Sequence, residues 1–598
     1  MEHHMILSAS GWRKVFALSG NEQDNKPEIS KEDRCISVAA AKVFFDYITN
    51  KTGKQNPLIA VGIDTRPTGA AIADAMIRFL ATTDAMIKYC AISSAPEIMA
   101  YAKQLDGFIY ISASHNPVGH NGIKFGTNEG GVLNAAENAE LVKSFLGLLN
   151  DENSLLQLVK NADDINTDSL KNVYSASENV KSSSLDAYRN FILETITGSN
   201  DKGFIDNFFT SLQSYTSHNS LGVVCDFNGS SRSKCIDKDF FAKNEINFYS
   251  INNDKIVHGI IPEAENLVYV ATEMERLQSE GHKDVILGYM PDCDGDRGNI
   301  VFWNEKTKKA EILKAQEVFA LSVMAETAFL YYQGKINKDT KTAVVVNDPT
   351  SMRIDKICAA FGIDLFRAEV GEANVVNLAR EKRLQGYTVR IMGEGSNGGN
   401  ITHPAAVRDP LNTLFALIKL LTVKDTDGKK GLFHIWCTLS GQEKLYRENF
   451  TLSDIISTLP LFTTTGVSEK RAVTKITQKD HSKLKTAYQR VFEKEWEKKK
   501  GALKEKYCIC TYEAICNKGT TESRNISDFS ISGKGGLKIL FKDSKNEQLA
   551  FIWMRGSGTE PVFRVMCDLK GDNKKQEAQL LAWHTKMIQK ADKLSFRL

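Results

Sequence analysis

The chain has 598 residues, with 42% apolar and 25% charged side chains, a balance that fits a folded globular protein and excludes a disordered one. Lys and Arg number 76 against 73 Asp and Glu, which excludes the basic surplus of a general nucleic-acid or membrane-surface binder. At about 150 residues per domain, the length points to about four domains. No apolar run reaches the ~18 residues of a membrane span. The best, residues 411–423, is interrupted by Lys419 and reads as a buried helix. Glu2, His3 and His4 open the chain without an apolar h-region, so a cytoplasmic protein without a signal peptide is expected. Eleven cysteines fit reduced thiols, and Cys508, Cys510 and Cys516 lack the spacing of a zinc site.

Strand-like and helix-like segments alternate through most of the chain, the pattern of α/β units with largely parallel sheets. Residues 58–63 predict a strand, followed by a helix over 69–82 and a second strand over 108–112. The polar stretch 151–184, rich in Ser and Asn and poor in aromatic residues, predicts loops with a single helix. A new set starts near Leu221, where Gly222-Val223-Val224-Cys225-Asp226 precedes a loop at Asn228-Gly229. Residues 284–290 form a strand that runs directly into a cluster of acids. A third set takes in strands 342–347 and 388–392 with a helix over 351–361. After Pro460 come a helix with mixed charges at 493–506, strands at 537–541, 551–554 and 563–567, and a long helix at 575–591. That order suggests an α+β domain. The expected domains are 1–185, 186–312, 313–463 and 464–598, the first three α/β and the last α+β.

Four loops carry chemistry. Ile111-Ser112-Ala113-Ser114-His115-Asn116-Pro117 begins at a strand's C-terminal end, where open α/β sheets bind ligands. Asn116-Pro117 forces a turn there, so the stretch reads either as a nucleophile loop around Ser114 or as a structural turn. Asp292-Cys293-Asp294-Gly295-Asp296-Arg297 also follows a strand and reads as a cation site, since a cation makes such crowding of carboxylates favourable, or as a solvated acidic turn. All-oxygen ligands suit Mg²⁺ or Ca²⁺, but Arg297 and Trp303 stand where an EF-hand needs Gly and Glu. Gly393-Glu394-Gly395-Ser396-Asn397-Gly398-Gly399 reads as a sugar-hydroxyl loop or a plain glycine-rich turn, since a carboxylate accepts well from adjacent hydroxyls. Arg555-Gly556-Ser557-Gly558-Thr559-Glu560-Pro561 reads as a phosphate nest or a surface turn; it lacks the Lys-Ser/Thr ending of a P-loop.

The order of these motifs resembles the α-D-phosphohexomutase superfamily, which includes phosphoglucomutases, phosphomannomutases and phosphoglucosamine mutases. Ser10-Gly11-Trp12-Arg13, Gly62-Ile63-Asp64-Thr65-Arg66 and His258-Gly259-Ile260-Ile261-Pro262-Glu263 add to the likeness, which spans residues 8–570. The resemblance implies four domains, three mixed-sheet α/β domains of similar topology and a C-terminal α+β domain, with the active site in the central cleft. It implies that Ser114 carries a phosphoryl group and that Mg²⁺ is held by Asp292, Asp294, Asp296 and a phosphoserine oxygen at Ser114. Lys124 would be the general acid/base and His115 its assistant, with Arg13 and Arg297 as stabilising cations. Glu394 and Ser396 would bind the sugar, and Arg555, Ser557, Gly558 and Thr559 the phosphate that is not reacting.

The expected reaction is transfer between C1 and C6 of a hexose phosphate through a hexose 1,6-bisphosphate, which also serves as activator. Ser112 replaces the family's usual Thr. The loop at Glu394 lacks the His common in phosphomannomutases and phosphoglucosamine mutases and looks more like that of phosphoglucomutases, which favours glucose 1-phosphate as substrate. Mannose or glucosamine phosphate is the alternative, and a non-catalytic phosphosugar sensor a third reading that the retained Ser114, acids and Lys124 argue against. The expected partners are small sugar phosphates, with neither nucleic acid nor membrane, in a monomer or dimer.

Overall fold

The computed structural model describes residues 3–557 and 561–597. Two compact units make up the chain: residues 1–313 with 401–418, and residues 314–400 with 419–598. Among the described residues, no helix is long and apolar enough to cross a membrane.

The first unit holds two sheets. Strands β1 (Ile6–Ser8), β2 (Gly11–Val15), β3 (Leu58–Ile63), β4 (Met86–Ile92), β5 (Gly107–Ile111) and β6 (His120–Thr127) lie in the order β1-β2-β6-β5-β3-β4. β4, β3 and β5 are parallel, whereas β6 and β2 are antiparallel additions. Side chains of period two bury both faces. Ile59, Val61 and Ile63 pack with Phe44 and Met76 from the helices Lys31–Thr52 and Gly69–Leu80. Ala60, Phe108 and Tyr110 pack on the other face with Ile98 and Ala187 from the helices Ala95–Ala102 and Ser177–Thr197. The second sheet runs β11-β10-β9-β7-β8, from β7 (Gly222–Asp226), β8 (Asn247–Ile251), β9 (Val285–Pro291), β10 (Gly298–Asn304) and β11 (Lys309–Ile312). Val224, Val285 and Val301 bury one of its faces against Leu267, Val270 and Met274 of the helix Ala264–Ser279.

The stretch 151–184 departs from expectation. It is almost wholly helical: Glu152–Asp163, Thr167–Ser175 and Ser177–Thr197 follow one another. Asp151 and Asn166 cap the first two by accepting from Ser154 and Asp168 backbone N–H groups, so the polar residues that read as loop are in part caps. Sparse apolar anchors suffice: Leu155, Ala162 and Leu170 are buried in the core of the first sheet.

In the second unit, β12 (Thr342–Asn347) lies between β13 (Asp364–Ala368) and β14 (Thr388–Gly393), all parallel. The last sheet is antiparallel, in the order Phe462–Thr464, Val562–Lys570, Gln548–Gly556, Gly536–Lys542, Thr511–Lys518, Thr521–Arg524. The helices His481–Tyr507 and Lys574–Leu594 cover one of its faces through Tyr488, Phe492, Leu581 and Ile588. Mixed α/β sheets followed by this α+β sheet match the expected fold class.

Candidate functional site: a serine loop joined to a buried acid cluster

In the first unit, the loop after β5 turns sharply at Ser114, whose φ of 54° lies in the left-handed region that a non-glycine residue enters only under constraint. The constraint is Arg66. Its fully buried guanidinium is anchored on Asp64 and donates to the backbone carbonyls of Ser114, Asn116, Pro117 and His120. Five donors in a planar fork allow one side chain to gather that many acceptors. The Ser114 backbone N–H donates to Ser112 Oγ at 2.9 Å, so Ser112 keeps the hydroxyl role.

Ser114 Oγ donates to Asp292 Oδ2 at 2.7 Å, across 178 residues of sequence. It also lies 3.4 Å from His115 Nδ1. Arg297 nearby, then burial and Arg13, hold the His115 imidazole down at about 2, so it is neutral at pH 7.

Asp292, Asp294 and Asp296 are all buried, and each places a carboxylate oxygen within 4.8 Å of the others. Asp294 Oδ1 and Asp296 Oδ1 are buried without a hydrogen-bond partner. Unpaired buried carboxylate oxygens are costly, and an oxygen-ligated divalent cation satisfies them; the donor set fits Mg²⁺. Burial, then Asp294 and Asp296, pushes the Asp292 carboxyl well above the usual range. Asp294 is held below it: burial opposes its charge but is outweighed by Lys124, Arg13 and Arg297. Lys124 Nζ donates to Asp294 Oδ2 at 2.6 Å. Burial works against the Lys124 ammonium, yet Asp294 and Asp296 raise its pKa above the ordinary value.

The register places the remaining cations. Arg13 of β2 sits opposite Gly122 of β6, two residues from Lys124, so Arg13 and Lys124 share a face of the sheet. The Arg297 backbone N–H donates to Asp292 Oδ1 at 3.2 Å. The Nε atoms of Arg13 and Arg297 are buried with no acceptor, as an anion site requires. Residues 401–418 add a contact that sequence reasoning missed: Arg408 Nη2 donates to Asp296 Oδ2 at 3.2 Å. The roles of Arg66 and Arg408 were likewise unread, although Asp64-Thr65-Arg66 stood out as a motif.

The other two loops belong to the second unit. Glu394 accepts from Asn347 Nδ2 at 3.0 Å, the Gly371 N–H at 2.8 Å and Asn397 Nδ2 at 2.8 Å, which fixes its carboxylate. Ser396 Oγ lies 3.5 Å from Asn347 Nδ2. Gly398 and Gly399 both have φ near 68°, a turn that needs glycine twice in succession. Arg555 Nε is 3.4 Å from Glu369 Oε1. Ser557 closes the hairpin by donating its N–H to the Val562 carbonyl at 2.9 Å. Gly558 and Thr559 lie outside the described residues.

The chain matches phosphoglucomutase/phosphomannomutase α/β/α domain I over residues 22–149 and domain III over residues 321–434. The phosphoglucosamine mutase of Macrococcus caseolyticus is 33% identical over 100 residues, which cover 16% of this chain and 22% of that enzyme. The phosphoglucosamine mutase of Nautilia profundicola is 24% identical over 355 residues, 58% of this chain and 68% of its own length. Among solved structures, the open form of the Paramecium phosphoprotein pp63/parafusin, a phosphoglucomutase, is similar with a TM-score of 0.60. It is 15% identical, with 98% of this chain and 95% of that one covered, a likeness of fold.

Proposed function

Because the chain belongs to the α-D-phosphohexomutase superfamily, we propose that it catalyses reversible phosphoryl transfer between C1 and C6 of a hexose phosphate, with Ser114 as the carrier. The observation that carries this reading is the 2.7 Å hydrogen bond from Ser114 Oγ to Asp292, which joins the hydroxyl of the residue at the strained turn to the buried acid cluster.

Asp292, Asp294 and Asp296 would hold Mg²⁺ together with a phosphoserine oxygen. When bound, the cation neutralises charge on the oxygens of the transferring phosphoryl group. The chain's own groups do the rest. Arg66 presents Ser114 in line for transfer, a positional contribution of the kind that dominates phosphoryl chemistry. Arg13 and Arg297 supply fixed positive charge to the phosphate oxygens. Lys124 gives a proton to, or takes one from, the sugar hydroxyl at the reacting end, an effect typically worth ~10²–10⁴-fold. His115, neutral, offers a hydrogen bond without competing for phosphate charge. Glu394 and Ser396 read sugar hydroxyls, while Arg555 and Ser557, with Gly558 and Thr559, grip the second phosphate. A hexose 1,6-bisphosphate would form, reorient and act as activator by recharging Ser114.

Glucose 1-phosphate is the preferred substrate in this reading, because the loop Glu394-Gly395-Ser396-Asn397-Gly398-Gly399 lacks histidine. Glucosamine 1-phosphate is the second reading, favoured by the names of the two relatives above. The test is kcat/KM for glucose, mannose and glucosamine 1-phosphates with Mg²⁺ and a trace of the matching bisphosphate, on wild type and Ser114→Ala. Wild type should be active and carry phosphate on the peptide containing Ser114. Undiminished activity in Ser114→Ala would overturn the mechanism, and a strong preference for glucosamine 1-phosphate would replace glucose.

A further inference from the structure

The acid loop is held through its backbone carbonyls, on atoms other than the carboxylates. Four successive carbonyls, of Asp292, Cys293, Asp294 and Gly295, each accept from outside the loop. Their donors are Ser230 Oγ at 2.6 Å, the Ser231 N–H at 2.9 Å, the Ala95 N–H at 2.8 Å and Arg232 Nη1 at 3.4 Å. With the carbonyls bonded on that side, the loop's geometry depends on whatever fixes those donors. Three of them are backbone or hydroxyl groups at helix starts: Ser230 and Ser231 at the short helix Ser231–Lys234, and Ala95 at the helix Ala95–Ala102. The fourth, Arg232, is a long side chain, and a second network decides where it goes.

Arg232 is fully buried and fully subscribed. Nε and Nη2 form a fork on the two oxygens of Asp237, both at 2.9 Å. Nη1 also donates to Asp409 Oδ1 at 3.2 Å, and Nη2 to the Tyr188 hydroxyl at 3.2 Å. Tyr188 in turn donates to Asp409 Oδ2 at 2.6 Å, and Tyr289 to Asp237 Oδ1 at 2.6 Å. The guanidinium therefore ties the helix Ser177–Thr197, the 401–418 segment and the acid loop together. Steric contact adds to this: Gly295 has φ +68°, and a Cβ there would come within 2.3 Å of Arg232 Cγ. The residue next to Asp409 is Arg408, which bonds Asp296 directly.

Loop stiffness has a specific consequence for cation choice. Mg²⁺ demands near-ideal octahedral geometry at about 2.0–2.1 Å, whereas Ca²⁺ accepts about 6–8 oxygens at about 2.3–2.6 Å in flexible shells. A loop with four successive carbonyls tied back favours the smaller, more demanding ion; a loosened loop penalises Mg²⁺ more than Ca²⁺. We infer that Arg232, held by Asp237, Asp409 and Tyr188, is a positioning residue that sets the Mg²⁺-over-Ca²⁺ selectivity of the acid loop. This inference rests on the reading of Asp292, Asp294 and Asp296 as a divalent-cation site.

The test is calorimetric titration of the full-length, chelator-treated protein with Mg²⁺ and, separately, with Ca²⁺. Arg232→Lys keeps the charge but loses the fork. It should weaken Mg²⁺ binding by ~10–100-fold, the usual effect of removing a group that orients metal ligands. Ca²⁺ binding should weaken less, so the ratio of the two dissociation constants moves by at least ~5-fold, scaled down from the same range. Tyr188→Phe leaves Arg232 in place and should move the ratio in the same direction by less. A folded Arg232→Lys protein with the wild-type ratio would overturn the inference, since a purely structural role lowers stability without changing ion preference. Where Arg232→Lys does not fold, Tyr188→Phe decides: a shifted ratio supports the inference and an unchanged one overturns it. A wild type that binds neither ion would overturn the cation reading itself, and this inference with it.

Discussion

At the scale of single residues, one arginine explains what the motifs do not. Arg66 turns a strained serine loop into a fixed one, because its guanidinium donates to four carbonyls around the backbone turn at Ser114. Lysine at that place has three donors on one atom and no planar fork. Arg66→Lys should therefore lower kcat/KM by ~10²-fold, the penalty of misplacing a reacting group by about an ångström. Its far-ultraviolet circular dichroism should stay that of wild type. Steady-state kinetics on the folded variant check this; a loss below about threefold would mean that the loop holds its own shape. The motif Asp64-Thr65-Arg66 was visible in the sequence, but its purpose was not. The four carbonyls it serves lie some fifty residues downstream and become neighbours only once β3 and β5 pair.

At the scale of elements, the last sheet and its helices contain a buried histidine with a clear electrostatic signature. His584, on the helix Lys574–Leu594, lies 2.8 Å from the Tyr488 hydroxyl through Nδ1 and 3.1 Å from the Trp553 carbonyl through Nε2. The neutral tautomer with the proton on Nε2 satisfies both partners: it donates to the carbonyl and accepts from the hydroxyl. Burial lowers its pKa from 6.5 to about 3. A folded-state pKa below the unfolded one means that the unfolded chain takes up the proton first. The stability that neutral His584 contributes is complete above pH 6.5 and is lost as pH falls towards 3. Within that window, one extra proton on the unfolded state steepens the decline by about 1.4 kcal/mol per pH unit. Urea unfolding of wild type and His584→Gln between pH 6 and 4 should show that difference in slope. Parallel slopes would show that His584 is protonated in the folded protein.

The same scale shows where reading by composition failed. Residues 151–184 are rich in Ser and Asn and poor in aromatic residues, so they read as loops with a single helix, yet they lie almost wholly in three helices. Their support is tertiary: Leu155 and Leu170 enter the first sheet's core, while Lys181 and Ser184 both bond the buried Glu97. By contrast, the strands β3, β7 and β12 were legible because an apolar run between turn residues has few other uses. The C-terminal half of the helix His481–Tyr507, residues 493–506, was legible from its mixed charges.

At the scale of the whole molecule, the acid cluster belongs to one compact unit, residues 1–313 with 401–418. A ligand that binds only folded protein stabilises it, by about 2.7 kcal/mol at a hundred times its dissociation constant. Saturating Mg²⁺ should raise the unfolding temperature of the transition that includes this unit by a few degrees, and chelator should reverse the gain. Asp294→Asn should abolish the rise, because it removes the charge of the carboxylate proposed as the cation's central ligand. Calorimetry of wild type and variant, with and without Mg²⁺, checks this; an equal rise in Asp294→Asn would place the stabilising ion elsewhere. The unit is also discontinuous in sequence. Asp409 and Arg408 reach Arg232 and Asp296 from a segment more than a hundred residues away, a dependence that no local pattern announces.

The sequence by itself determined which residue types each loop brings together. A serine before Asn-Pro, three acids in five residues and glycine-rich turns with Glu or Arg are local facts, set by backbone sterics and by the spacing of charges. It also determined the alternation of strand and helix, because apolar periodicity is local too. Only the tertiary structure decided which loops act together and what holds them. The hydrogen bond from Ser114 to Asp292, the grip of Arg66 on the serine loop and that of Arg232 on the acid loop all join residues that chain order keeps apart. Such contacts follow from how sheets and helices pack, and side-chain partners at that distance are selected by burial rather than by neighbourhood in sequence.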